Sequence, residues 1–341
     1  MEAIDLPIEY TGLLRPLIAI AGLSDLKEPD LPDTAEKSAP VAKRYRQELR
    51  AYRLKLDILT HLMSLGSLGS WEGRWRVLEL KDVIIPQKTA SILSPSNPDS
   101  QLYPDGIMSP NYIARLKKIP SIILCIQTLW EPHERDPLGM PSSIERDHDQ
   151  IMCTFIIEQR RKSLERLLKF VVIILIQSPR IQGNDDTALD ERLSFIRRAC
   201  GMDRNNLLVC PASNQDGESK SADVLMEPIM KLMVNFSAAY YREEERKKKK
   251  KKARGGSSLR FPTAKPPPTH SSIRFDFKMG AISELRFEPE VAISFYESAY
   301  VCLGALLKQS IRNEGKLGDI DTTSSRFYEA RVLFDSLCFK V

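Results

Sequence analysis

Long hydrophobic runs are what this sequence of 341 residues most lacks. The longest uninterrupted one, residues 170–176, is seven residues, against the ~20 that a membrane-spanning helix needs. The opening MEAIDLP has no basic stretch leading into an apolar one, so no secretory signal is expected and the chain reads as soluble and cytosolic. Cysteine is sparse: Cys125, Cys153, Cys200, Cys210, Cys302 and Cys338 stand singly, most of them in apolar runs. No C-x-x-C pair and no Cys/His cluster with zinc-ligand spacing occurs, and buried free thiols in a reducing compartment are expected.

Histidine is rarer still, with four in the chain. His61 falls in a helical pattern and reads as a packing residue. His133 has Glu131, Glu134 and Asp136 near it, and His148 lies between Asp147 and Asp149. A metal site would need both segments brought together; exposed polar residues at a helix start is the plainer reading. Glycine clusters only at residues 66–73 (GSLGSWEG), which follow a helical pattern and lack the lysine of a phosphate-binding loop. A phosphate cradle needs backbone N–H groups at a helix start directly after a strand. Residues 178–183 and 212–217, which follow later strands, carry no such fingerprint either. No serine sits in a G-x-S-x-G elbow, and the paired Asp185 and Asp186 stand where acids favour a helix N-terminus. The expectation is a chain with no catalytic residues, no cofactor and no metal.

Charge is present but unevenly placed. Residues 242–254 hold nine basic and three acidic side chains, +6 in all, whereas the whole chain carries +5. The remainder is therefore close to neutral. A protein that tracks a phosphate backbone spreads Lys and Arg over a folded face, so nucleic acid is not expected as a partner.

Hydrophobic residues make up 42% of the chain, enough for a real core. Residues 16–23 (PLIAIAGL), 75–85, 121–129 (SIILCIQTL), 169–177 (KFVVIILIQ) and 206–211 read as strands. Helical spacing marks residues 35–65, 143–168, 186–200 and 221–246, with Ser143 and Arg146 as a weak capping box; residues 86–112 read as a long surface loop. Strands alternating with crossover helices imply a mostly parallel, doubly wound-like α/β sheet domain, placed at residues 1–245. Residues 246–270, lysine-rich and then Gly-, Ser- and Pro-rich, read as a flexible basic linker. Residues 271–341 read as the start of a tetratricopeptide-like α-solenoid, with helices at 273–285, 289–307 and 322–341.

Two features in this second half are candidate sites. Gly280 as the small residue of a first helix puts Ala292, Tyr296 and Ala299 where a helical repeat wants small, aromatic and small residues. The alternative is an unrelated helical hairpin. Since a lone hairpin cannot bury its own face, further repeats are expected beyond Val341. The run Lys247, Lys248, Lys249, Lys250, Lys251 and Lys252 has three readings: a solvated continuation of the helix or spacer, a nucleic-acid or localisation patch, or a contact with anionic lipid or a partner.

Four segments together carry a resemblance. They are Leu6-Pro-Ile-Glu-Tyr with Arg15-Pro-Leu-Ile-Ala-Ile-Ala-Gly-Leu23; Tyr103-Pro-Asp-Gly106-Ile-Met with Ile119-Pro-Ser-Ile-Ile-Leu; the strand at 171–177; and Phe277-Lys-Met-Gly-Ala-Ile-Ser-Glu-Leu285 with Ala292, Tyr296 and Ala299-Tyr300. Their order and spacing resemble the N-terminal portion of the foie gras family, subunit 11 of the trafficking protein particle (TRAPP) complex. The resemblance implies a non-catalytic scaffold in a complex that tethers vesicles and activates a Rab1-type GTPase in ER-to-Golgi transport. It implies other TRAPP subunits as partners, the GTPase as an indirect one, and cytoplasmic, peripheral association with Golgi or intermediate membranes. The rival reading is a nucleotide- or phospho-ligand-binding α/β enzyme with an appended helical module.

Overall fold

The computed structural model describes residues 13–22, 39–64, 75–85, 97–100, 102–103, 106–109, 111–132, 142–164, 168–176, 187–211, 220–253, 268–313 and 325–340. They fall into two compact units, Leu17–Ile85 with Pro120–Ser237, and Met1–Pro16 with Pro86–Ile119 and Ala238–Val341.

The first unit is built on five parallel strands: β1 (Leu17–Ala21), β2 (Arg76–Glu79), β3 (Ile122–Thr128), β4 (Lys169–Ile176) and β5 (Leu207–Pro211). Their order is β2-β1-β3-β4-β5. Ile18 faces Val77 on one side and Ile122 on the other, Val171 pairs with Leu124, and Val172 with Leu207. Parallel neighbours need long crossovers, here supplied by α1 (Ala39–Ser64), α3 (Ser143–Leu164) and α4 (Thr187–Cys200), with α5 (Lys220–Ala253) after β5. Every residue of β4 after Lys169 is buried, as expected of a strand covered on both faces. Each such Val, Ile or Leu contributes roughly 1.5–3 kcal/mol. β2, at the sheet edge, is only half-buried.

Strand alternation divides this core. Ile18, Ile20, Ile122, Leu124, Ile126, Val171, Ile173 and Leu175 cluster with Leu54, Ile58 and Leu62 of α1 and Met226, Ile229 and Met233 of α5. The alternate residues, among them Leu17, Ala19, Cys125, Val172 and Ile174, are equally buried; α3 packs on β3 and β4, and α4 on α3. Helices thus lie on both faces of a parallel sheet, the α/β class expected from the sequence.

The second unit is helical. α2 (Tyr112–Lys117) begins at the end of the stretch read as a surface loop, and Leu102, Ile107 and Met108 of that stretch are buried, as is Ile113 of α2. The correction has a local cause: Arg274 donates to the carbonyls of Ile107 (2.6 Å) and Gly106 (2.5 Å), satisfying backbone that a buried loop would otherwise leave unpaired. α6 (Pro268–Leu285), α7 (Pro289–Asn313) and α8 (Ser325–Lys340) complete the unit. α6 and α7 are joined by a tight turn in which Phe287 N–H donates to Glu284 O and Glu288 N–H to Ser283 O, with Phe287 itself at φ 61°. That bond pattern is a left-handed C-cap, usually filled by glycine. Three helices are described here; they do not by themselves show a repeating solenoid.

The expected linker at 246–270 overlaps both flanking helices, since α5 runs to Ala253 and α6 begins at Pro268; residues 254–267 lie outside the described ones. The composition reading also missed that residues Pro289–Lys308 of α7 are long and apolar enough to cross a membrane, with mean hydropathy 1.3. Searching for uninterrupted runs overlooked it because Glu290 and Glu297 break the pattern. The face of α7 carrying Ala292, Tyr296, Ala299 and Leu303 is buried in the unit, as in the core helix of a helical hairpin.

Candidate interaction sites

The hairpin residues converge on one contact. A Cβ placed on Gly280 would lie 2.6 Å from Cε1 and 2.7 Å from Cδ1 of Tyr296, so the ring rests on the bare backbone of α6. Ala292, Tyr296 and Ala299 are four and three residues apart and share one face of α7; all three are buried. Phe277 packs against Tyr296 with ring centroids 5.7 Å apart, and Tyr112 meets Phe277 at 6.3 Å.

Sequence reasoning missed what the Tyr296 hydroxyl does. It donates to Glu284 Oε2 at 2.9 Å, while Glu284 Oε1 accepts from Lys340 Nζ and from the backbone N–H of Leu14, both at 2.7 Å. A carboxylate 9% exposed is thereby bonded from three other segments of the chain. Burial, and then the charge of Glu284, push the Tyr296 hydroxyl well above its ordinary pKa. Such an assembly holds helices together; it presents no nucleophile to solvent.

The lysine run lies on the last turns of α5, and several of its charges are engaged within the helix. Lys247 pairs with Glu244 at 2.8 Å, Lys249 with Glu245 at 2.6 Å, and Lys248 lies 3.7 Å from Glu244. Lys252 stands 4.1 Å over the Phe275 ring and 3.9 Å from Asp276. Lys250 is exposed, and the side chain of Lys251 lies outside the described residues. Exposed pairs of this kind contribute at most about 1 kcal/mol each, so they orient the lysines without masking their field.

Of the histidines, the side chains of His61 and His133 lie outside the described residues. His148 is exposed and stacks on Trp130, centroids 4.6 Å apart. No group of three or more His, Cys, Asp or Glu among the described residues is placed to hold a metal. Next to His148, however, is a buried cluster that sequence reasoning did not find. Arg192 of α4 donates to both carboxylate oxygens of Asp149 (2.8 and 2.7 Å), to Glu145 (2.9 Å) and to the Trp130 carbonyl (2.8 Å). Burial works to lower the Arg192 pKa, but Asp149, Glu145 and Glu131 outweigh it and the net shift is upward. Glu145 also caps α3: Ser142 N–H donates to Glu145 Oε2 at 2.8 Å and Glu145 N–H to Ser142 Oγ at 3.2 Å. The capping box therefore sits one residue earlier than expected, where the third position is glutamate.

At the C-terminal ends of the strands, where open α/β sheets bind ligands, β1 is followed directly by Gly22. Its φ is +89°, and a Cβ there would lie 2.1 Å from the Ile126 carbonyl and 2.6 Å from Gln127 Nε2. β1 and β3 flank the point where the strand order reverses, and at this glycine they meet backbone to backbone. The segments after the other strands lie largely outside the described residues. The thiols behave as packing groups on β3 and β5, where burial pushes Cys125 up to about 12 and Cys210 up to about 11. Cys338 departs from expectation in being exposed.

Residues 79–219 match the family model described as the Trafficking protein particle complex subunit 11 N-terminal domain. The match runs from the end of β2 to just before α5, taking in β3, β4, β5 and the Arg192 cluster, and covers less than half of the chain. No curated protein matches the sequence significantly.

Proposed function

From the premise that residues 79–219 are a TRAPP subunit 11 N-terminal domain, we propose that the chain is a non-catalytic scaffold subunit of the TRAPP vesicle-tethering complex. In this reading it contacts other TRAPP subunits and serves ER-to-Golgi transport from the cytoplasmic side of Golgi or intermediate membranes. The exchange reaction on a Rab1-type GTPase belongs to other subunits, and this chain meets the GTPase indirectly.

The observation that carries the reading is the family match over most of the parallel sheet. Two arrangements support a scaffold over an enzyme. Two buried sets of titratable groups, Arg192 with Asp149 and Glu145, and Glu284 with Tyr296 and Lys340, are bonded to one another, and the hairpin around Gly280, Ala292, Tyr296 and Ala299 is spent on packing. We place the base of a helical arm at that hairpin, and a membrane or partner contact at the lysines 247–252, whose charges a helix holds in fixed register.

Affinity purification of the tagged chain from cells, with mass spectrometry of what co-purifies, tests this. Recovery of several TRAPP core subunits is expected. Recovery of none, alongside a positive control with another TRAPP subunit, would overturn it.

A further inference from the structure

We propose that the C-terminal end of α4 forms a binding site for a phosphate monoester. An open cleft of about 450 Å³ is lined there by Ser194, Arg197, Arg198, Gly201 and Met202. Ser194, Arg197 and Arg198 stand three and four residues apart, so their side chains leave the same face of the helix. A third guanidinium closes the group: Arg160 of α3 bonds the Cys200 carbonyl, and its Nη1 would lie 2.8 Å from a Cβ placed on Gly201.

The arrangement is unusual in what it leaves undone. Arg197 Nε is buried and has no hydrogen-bond partner. Among the described residues no carboxylate pairs with Arg160, Arg197 or Arg198, although ion pairs are common elsewhere in the chain. A guanidinium N–H withdrawn from water without an acceptor is disfavoured; Arg197 as a whole is half-buried and Arg198 exposed, so an anion would meet their outer guanidinium nitrogens from the cleft.

Basic residues at a helix C-terminus are also expected simply because they complement the helix dipole, so the carbonyls matter. Here three of the last four are already occupied. Gly201, at φ +58°, donates its N–H to Arg198 O at 3.1 Å, and Met202 donates to Arg197 O at 2.9 Å. This is the two-bond C-cap that closes a helix. Arg160 takes the Cys200 carbonyl and Arg198 Nε takes that of Ser194 at 3.3 Å. With most of those acceptors quenched, Arg197 and Arg198 line the cleft and Ser194 adds a neutral hydroxyl donor. Forked guanidinium donors suit a planar pair of phosphate oxygens, and the volume falls in the range of small-ligand sites.

The test is equilibrium binding of the full chain to two probes, a soluble inositol phosphate and phosphatidylcholine vesicles containing a phosphatidylinositol phosphate. Binding to both identifies a lipid headgroup as the source; binding to the soluble probe alone identifies a free phosphate ester. Loss of two charge-assisted donors in the double variant Arg197→Gln, Arg198→Gln should weaken binding at least about tenfold. Replacing the six lysines 247–252 with glutamine should leave binding to the soluble probe unchanged. Should the arginine variant lose cooperative unfolding, Ser194→Asp, which sets a carboxylate among the arginines, is expected to abolish binding instead. The proposal fails if neither probe binds, if the α4 variants bind as well as the parent, or if the lysine variant loses binding equally. It rests on the cleft alone, so its failure leaves the scaffold reading standing.

Discussion

The α/β unit and the helical unit each bury a charged node, and they build it in opposite ways. In the sheet unit the centre is a cation: Arg192 gathers Asp149 and Glu145 from α3 and the Trp130 carbonyl from the segment just after β3, elements adjacent in the fold's own βα rhythm. In the helical unit the centre is an anion: Glu284 gathers a tyrosine on α7, a lysine at the end of α8 and a backbone N–H from residue 14. The first node fastens two helices that the sheet has already brought together. The second binds segments as much as 270 residues apart, which no sheet organises. A domain with a template spends its buried charge on refinement; one without a template spends it on assembly.

Removing the cation should have the largest effect. Arg192→Met leaves buried carboxylates without their partner, so the sheet unit should lose about 3–5 kcal/mol in denaturant unfolding; a loss under 1 kcal/mol would show the cluster to be solvated. Glu284→Gln removes the charge that Lys340 and the Leu14 N–H bond to while keeping shape, and about 2–3 kcal/mol is expected. It should also free α8 for proteolysis while the sheet unit stays protected, which separates the two nodes. Gly280→Ala gains roughly 1 kcal/mol of helix propensity but drives a methyl into the Tyr296 ring, costing about 1–3 kcal/mol. Net destabilisation is expected, and a more stable variant would mean the ring is free to move. Phe287→Gly should give the smallest change, about 1 kcal/mol in favour of the fold, since only glycine adopts φ 61° without strain.

Alkaline titration sharpens the same comparison. Cys125 is raised from 9.0 to about 12 by burial, and Tyr296 is raised from 10.0 by burial and by Glu284. A group whose folded pKa is raised stabilises fully below its unfolded pKa and loses that contribution as pH rises toward the folded one. Stability of the sheet unit should therefore begin to fall near pH 9, and that of the helical unit near pH 10, read as urea midpoints from probes in each. Coincident onsets would argue against this assignment.

Much of the sheet was legible because its signals are local. A run such as KFVVIILI can be little but a doubly buried strand, and Gly201 just past residue 200 marks a helix end. The nodes were not legible, because nothing near Glu284 in sequence announces Leu14 or Lys340, and Arg192 looks like any polar residue on an amphipathic helix. The capping box was misread by one position for a similar reason: Ser142 and Ser143 are adjacent, and only the backbone decides which of them caps. The buried Leu102, Ile107 and Met108 were taken for part of a surface loop because proline, serine, asparagine and aspartate mark residues 86–112 as a whole. Their burial depends on Arg274, far away in the chain. Gly280 and Tyr296 were picked out by spacing alone, but the cleft at Arg197 and Arg198 carries no motif and emerges only once α4 has an end.

The all-parallel order β2-β1-β3-β4-β5 has a consequence for synthesis. The Leu17 carbonyl that closes on Ser121 lies 104 residues before it. At about 5–20 residues per second, the ribosome needs roughly 5–20 seconds to deliver β3 after β1 has been made. Throughout that interval LIAIA is an apolar strand with an open edge, competent to pair with any other nascent chain. The fold that ends with this strand sealed on both sides begins with it open along the β3 edge.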